Sequence, residues 1–192
     1  MDVPGPIAAL AGTMAGFGRT WALCGGWGLD GGLGRQTREH VDVDVAIDLD
    51  DQLALHEYLR DGWLLNGHDE LDDDSTTQWD GHELRWPSHV HARGHGQNLD
   101  VQLERRIGDE WLLREVPPLL VPVGSVIRDS PWGVPILAPE VTLFFKGAGE
   151  IRGHDEADFR AVLPALEPAA QTWLRDALAA TRPEHPWLSA LD

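Results

Sequence analysis

The chain has 192 residues, enough for one domain or two small ones with a real core, and its 42% hydrophobic content is that of a soluble globular protein. The one cysteine, Cys24, excludes an intrachain disulfide and a zinc site built from several cysteines. A formal net charge of −17 counts against a nucleic-acid partner, which needs a basic surface, and is compatible with a polycationic small molecule. No apolar run is long enough to span a bilayer and no basic segment precedes an apolar one at the N-terminus, so the expectation is a cytoplasmic protein with no membrane partner.

Ile7, Leu10, Met14 and Phe17 recur at helical spacing and predict an amphipathic first helix from about Pro6 to Gly18. Trp21 to Cys24 is a short apolar strand that runs into Gly25-Gly26. A helix over Gly25 to Leu33 follows, expected to be short or distorted because Gly28, Gly31 and Gly32 each cost about 1 kcal/mol relative to alanine. A strand handing over to a helix through glycines leaves backbone N–H groups uncovered at a partly positive helix end, which suits phosphate oxygens.

Val41 to Leu49 is the next predicted strand. On it Asp42 and Asp44 share one face and Val43 and Val45 the other. Two adjacent carboxylates repel each other, an arrangement that becomes favourable when a divalent cation sits between them. Mg²⁺ takes such oxygen ligands together with substrate phosphates. Asp50-Asp51 caps a helix carrying Leu53, Leu55, Tyr58 and Leu59, and Trp63-Leu64-Leu65 is a short strand. The acidic run His68 to Asp74 reads as a solvated loop. Asp80-Gly81, between Thr76–Trp79 and His82–Trp86, signals a hairpin. His89 to His91 and Leu99 to Leu103 form a further strand pair across a polar turn, with Asp100 and Gln102 on one face.

After about Arg105 the texture changes. Trp111-Leu112-Leu113 is followed by a stretch with Pro117, Pro118, Pro122, Pro131 and Pro135. Helices then open at Pro139, near Asp155 and at Glu167. The predicted class is α+β: a mixed sheet flanked by helices over residues 1–115, a proline-rich connection over 116–138, and a smaller helical part over 139–192.

The stretch Gly25-Gly26-Trp27 … Asp30 … Gly34-Arg35-x-Thr37-Arg38-x-His40-x-Asp42-Val43-Asp44-Val45 resembles the small aminoglycoside and lincosamide nucleotidyltransferases of the DNA polymerase beta superfamily. That resemblance implies a nucleotidyltransferase-type fold and Mg²⁺-dependent transfer, with two ions, of a nucleotidyl group. The group is adenylyl by preference, from ATP or another nucleoside triphosphate. The acceptor is a small-molecule hydroxyl, an aminoglycoside-like antibiotic being the leading guess.

On this reading Asp42, Asp44 and Asp100 are catalytic and metal-binding residues, Asp100 either completing the metal site or accepting the hydroxyl proton. Gly25, Gly26, Trp27, Arg38, His40 and Lys146 are nucleotide-binding. Trp27 stands where the wider superfamily commonly has serine, and His154 replaces a usual lysine. Asp155 and Asp158 read as a helix cap and first-turn charge. Trp79, Trp86 and Trp111 are candidates for an acceptor pocket, with core packing the safer reading.

Three alternatives stand beside this reading. One is transfer to a protein or tRNA, the charge counting against tRNA. Another is a nucleotide-binding module without chemistry. The third is a zinc hydrolase built on His89, His91 and His95.

Overall fold

A computed structural model describes residues 2–69, 77–113 and 118–191. The chain folds in the order α1 (Gly5–Met14), β1 (Trp21–Leu23), α2 (Gly25–Leu33), β2 (Val43–Asp48), α3 (Gln52–Leu59), β3 (Trp63–Asp69), β4 (Thr77–Gln78), β5 (Ser88–Gly94) and β6 (Gln97–Ile107). It continues through β7 (Glu110–Leu113), β8 (Leu119–Pro122), α4 (Val123–Val126), β9 (Ile127–Asp129), β10 (Pro135–Leu137), α5 (Pro139–Lys146), α6 (Gly153–Val162), α7 (Pro168–Thr181) and α8 (Leu188–Leu191). No helix among the described residues is long and apolar enough to cross a membrane.

The strands form one mixed sheet in the order β4-β3-β5-β6-β2-β1-β10-β9, and β7 and β8 extend from the far end of β6. Alternation along each strand decides what covers each face. Leu23, Val45, Ile47, Val90, Leu99, Val101 and Leu103 point to a core shared with Ile7, Leu10 and Met14 of α1 and Leu55 and Leu59 of α3. Ala22, Cys24 and Ala46 face the other way, toward a core built with Val141 and Phe144 of α5, Phe159 of α6 and Leu174 and Leu178 of α7. The same period-two pattern that buries the valines of β2 turns Asp44 to this second face.

Three expectations are corrected, while the glycine-rich helix keeps its expected span: α2 runs Gly25–Leu33, opens on Gly25 (φ 58°) and ends on Gly34 (φ 66°), both in the left-handed region. Its glycines permit close approach, since a Cβ on Gly28 would come within 2.9 Å of the Leu23 carbonyl oxygen. The Asp80-Gly81 hairpin does not form. Thr77–Gln78 pairs with β3, and Leu84 is held by Gln52 of α3, which donates to its carbonyl and accepts from its N–H.

The stretch read as a proline-rich connection carries β8, α4, β9 and β10, and β10 pairs in parallel with β1, where Leu23 faces Ile136. Finally, Asp42 lies just before β2 rather than on it. Residues 70–76, which include most of the acidic run, lie outside the described residues, as do residues 114–117.

Candidate active site

A cleft of about 630 Å³ opens on the second face of the sheet, between the N-terminus of α2 and the helices α5 and α6. Its floor is set by register. β2 and β6 run parallel with Asp44 directly opposite Asp100, and because both residues sit on the same pleat their carboxylates share a face. Asp42 joins them from the bend before β2, and all three line the cleft.

The electrostatics follow from this convergence. Burial, then the charges of Asp42 and Asp100, push the Asp44 carboxyl up to about 7, against the smaller opposing pull of Lys146 and His40. Asp100 is raised in the same direction by burial, although neighbouring His91 pulls it back. Its Oδ1 is buried without a hydrogen-bond partner. Carboxylates held together at this cost fit an oxygen-preferring divalent cation.

The wall opposite is the start of α2. The Gly28 N–H donates to the Cys24 carbonyl at 2.8 Å, so the N–H groups of Gly25, Gly26 and Trp27 precede the helical ladder. Gly25 has φ +58°, and a Cβ there would stand 1.9 Å from Asp44 Oδ2. The glycine therefore sets the contact between the start of α2 and β2. At Gly26 a Cβ would meet His40 Nδ1 at 2.3 Å and an Arg38 guanidinium nitrogen at 2.6 Å.

His40 is fixed from behind by Asp30, whose Oδ2 lies 2.7 Å from Nε2. Asp30 also accepts from the Thr37 N–H and hydroxyl, which ties the loop after α2 back onto the helix. The Trp27 ring leaves the cleft altogether. It is buried and packs on His40 at 4.5 Å between centroids, so any phosphate contact from this residue is confined to its backbone N–H.

Lys146 and Arg38 reach the cleft from α5 and from the loop before β2, and a pair of carboxylates on α6 holds both. Asp158 accepts from Arg38 Nε and Nη2 at 2.8 and 2.9 Å. Lys146 Nζ stands 3.0 Å from both Asp155 Oδ1 and Asp158 Oδ2. Burial alone would raise Asp155, but hydrogen bonds from Arg152 and Lys146 hold it down at about 2. Asp158 is lowered in the same sense by Arg38 and Lys146.

These two residues are more than the cap and first-turn charge expected of them. Asp155 does accept from the Arg152 N–H, but Asp158 is a buried clamp on the two cleft cations. Replacing Lys146 by methionine leaves two buried carboxylates short of a counter-charge, and the expected loss of stability is about 3 kcal/mol in urea unfolding.

All the sequence-derived candidates except the Trp27 ring therefore meet at one place: Gly25, Gly26, Arg38, His40, Asp42, Asp44, Asp100 and Lys146 line the same cleft. Trp79 and Trp111 are core residues, so neither offers an acceptor wall. His95 is at the β5–β6 turn (φ 49°) with its ring against Trp63, away from a group formed by His89 and His91. The zinc constellation expected from His89, His91 and His95 is therefore not assembled.

Sequence reasoning missed Asp30, Arg152 and the clamp role of Asp158. Asp30 carried one readable signal, a lone carboxylate amid the glycine and apolar residues of α2, where burial needs partners.

Residues 7–70 match the family model of the aminoglycoside-2''-adenylyltransferases, a stretch that includes the glycine turn and the Asp42/Asp44 pair. The match spans a third of the chain. In fold the chain is similar to the lincomycin-bound crystal structure of the lincosamide antibiotic adenylyltransferase LnuA, with a TM-score of 0.61 at 18% identity, covering 85% of this chain and 98% of that one. The solution structure of the antibiotic-resistance factor ANT(2'')-Ia gives 0.59 at 17% identity, covering 91% and 89%. No curated protein matches the chain in sequence. Asp100 lies beyond the family-matched segment and joins the pair through the parallel register of β2 and β6.

Proposed function

We propose that the protein transfers a nucleotidyl group, adenylyl by preference, from a nucleoside triphosphate to a hydroxyl of a small molecule. The observation that carries this reading is the in-register pair Asp44/Asp100, joined by Asp42, facing the open N-terminus of α2 across one cleft.

Asp42, Asp44 and Asp100 would hold Mg²⁺, which when bound supplies charge neutralisation at the phosphates and acidifies the attacking hydroxyl. The uncovered N–H groups of Gly25, Gly26 and Trp27 receive phosphate oxygens. Arg38 and Lys146, anchored by Asp158, present positive charge to the same oxygens without losing their place. His40, backed by Asp30, braces the glycine turn.

The acceptor oxygen attacks the α-phosphorus. A new P–O bond forms, the bond to pyrophosphate breaks, and the hydroxyl proton passes to Asp100, whose raised affinity for a proton suits a base.

The acceptor class rests on two supports. LnuA is a lincosamide adenylyltransferase with lincomycin bound, and the family model is of aminoglycoside enzymes. The net charge of −17 favours a cationic molecule. The test is pyrophosphate release with Mg²⁺, each of the four nucleoside triphosphates and a panel of aminoglycosides and lincosamides. Release that depends on one acceptor class is expected. Nucleotide binding with no release for any acceptor would contradict the acceptor assignment.

A further inference from the structure

One sheet edge carries a second cluster of ligating groups that transfer chemistry does not use. β3 and β5 pair antiparallel with His68 opposite His89, and His91 follows two residues along β5 on the same face. The His68 and His89 rings stack at 4.4 Å between centroids, and His91 lies within 4.5 and 5.0 Å of them. One ring nitrogen from each falls in a group spanning no more than 4.8 Å.

We infer that His68, His89 and His91 form a binding site for a zinc-class divalent cation, separate from the carboxylate site. Two observations support a ligand set over a chance cluster. First, His68 Nε2 and His91 Nδ1 are 3.1 Å apart. Imidazole nitrogens bound at tetrahedral zinc are separated by about 3.3 Å, so these two are already spaced for a shared ion.

Second, His91 uses Nδ1 toward the cluster while its Nε2 faces Asp100 Oδ2 at 3.6 Å. A metal-bound histidine commonly offers its other nitrogen to a carboxylate, which fixes the ring and strengthens the ligand. Asp100 stands where that carboxylate belongs.

The all-imidazole set selects borderline ions such as Zn²⁺, Co²⁺ or Ni²⁺ over Mg²⁺. The two sites are therefore chemically distinct although they share the Asp100–His91 contact. Three protein donors leave a fourth position for water.

The test uses untagged full-length protein with excess Mg²⁺ and no nucleotide, so that its outcome is independent of transfer. Co²⁺ titration is expected to give one equivalent per chain with the visible absorption of a four-coordinate ion. His68→Gln or His89→Gln should weaken binding at least tenfold, whereas His95→Gln and His154→Gln should leave it unchanged. Should a variant fail to fold, the wild type decides alone: added Zn²⁺ should shift the imidazole ¹⁵N resonances of three histidines together. Absence of uptake by folded wild-type protein, or full uptake by a folded His68→Gln/His89→Gln double variant, would overturn the site.

Discussion

Asp44→Asn is expected to abolish nucleotidyl transfer, by at least about a thousandfold, and yet to stabilise the metal-free protein. The activity loss follows from its place between Gly25 and Asp100, at the centre of the carboxylate group. The stability gain follows from its proton affinity. With a carboxyl raised from 3.8 to about 7, the folded state binds this proton more tightly than the unfolded chain does. Stability from this group is therefore greatest at low pH and is lost as pH rises from about 4 through about 7.

Asparagine has no such charge to bury. In chelator, the variant should be more stable than wild type above pH 7, by an amount on the order of 2–4 kcal/mol, and so melt higher, with the advantage shrinking toward pH 4. Saturating Mg²⁺ should erase it from the wild-type side. Thermal melts at several pH values, with and without Mg²⁺, read all three effects. An equal melting temperature for both proteins at pH 8 in chelator would contradict the electrostatic account of the carboxylate cluster.

Gly25→Ala should damage the same site from the other wall. The residue is in the left-handed region, where a side chain costs about 1–2 kcal/mol, and its new Cβ would stand 1.9 Å from Asp44 Oδ2 and 2.9 Å from Asp44 Cβ. Either Asp44 turns away or the loop retreats, and both separate the glycine turn from the carboxylates. A displacement near 1 Å in a positioned site costs about a hundredfold in rate, which is the expected loss of transfer. Gly133→Ala supplies the control, because Gly133 has φ +75° with nothing within 4 Å of its added Cβ. That variant should show the backbone cost in its melting temperature and retain activity. Comparable activity losses in both would mean that the Gly25–Asp44 contact is unimportant.

The residues that sequence alone disclosed are those whose meaning is local. Asp42-Val43-Asp44-Val45 announces a strand with acidic and apolar faces, because side chains alternate whatever the rest of the chain does. Gly25-Gly26 after an apolar run announces its turn for the same reason. Asp100 was recognisable by pattern, but its position opposite Asp44 depends on the register of two strands far apart in sequence.

The clamp on Arg38 was out of reach, since Asp158 is 120 residues away and its sequence setting is that of an ordinary helix start. His68 was hidden similarly: it sat in an acidic run that read as a loop, whereas β3 extends to Asp69 and carries it across from His89. Asp80-Gly81 misled because the hairpin rule assumes that its flanks pair with each other. Here Gln52 takes the backbone groups of Leu84, and the Trp79 N–H bonds the Leu65 carbonyl instead.

The central claim, that this cleft joins a nucleotide to a hydroxyl, is tested most directly by the mass of the acceptor. The protein would be incubated with Mg²⁺, ATP and the acceptor that releases most pyrophosphate, beside Asp44→Asn, and the small molecules analysed by mass spectrometry. The account predicts an acceptor heavier by one adenylyl group, formed in step with pyrophosphate and absent with the variant. An unmodified acceptor beside hydrolysed ATP, or the same product from Asp44→Asn, would contradict it.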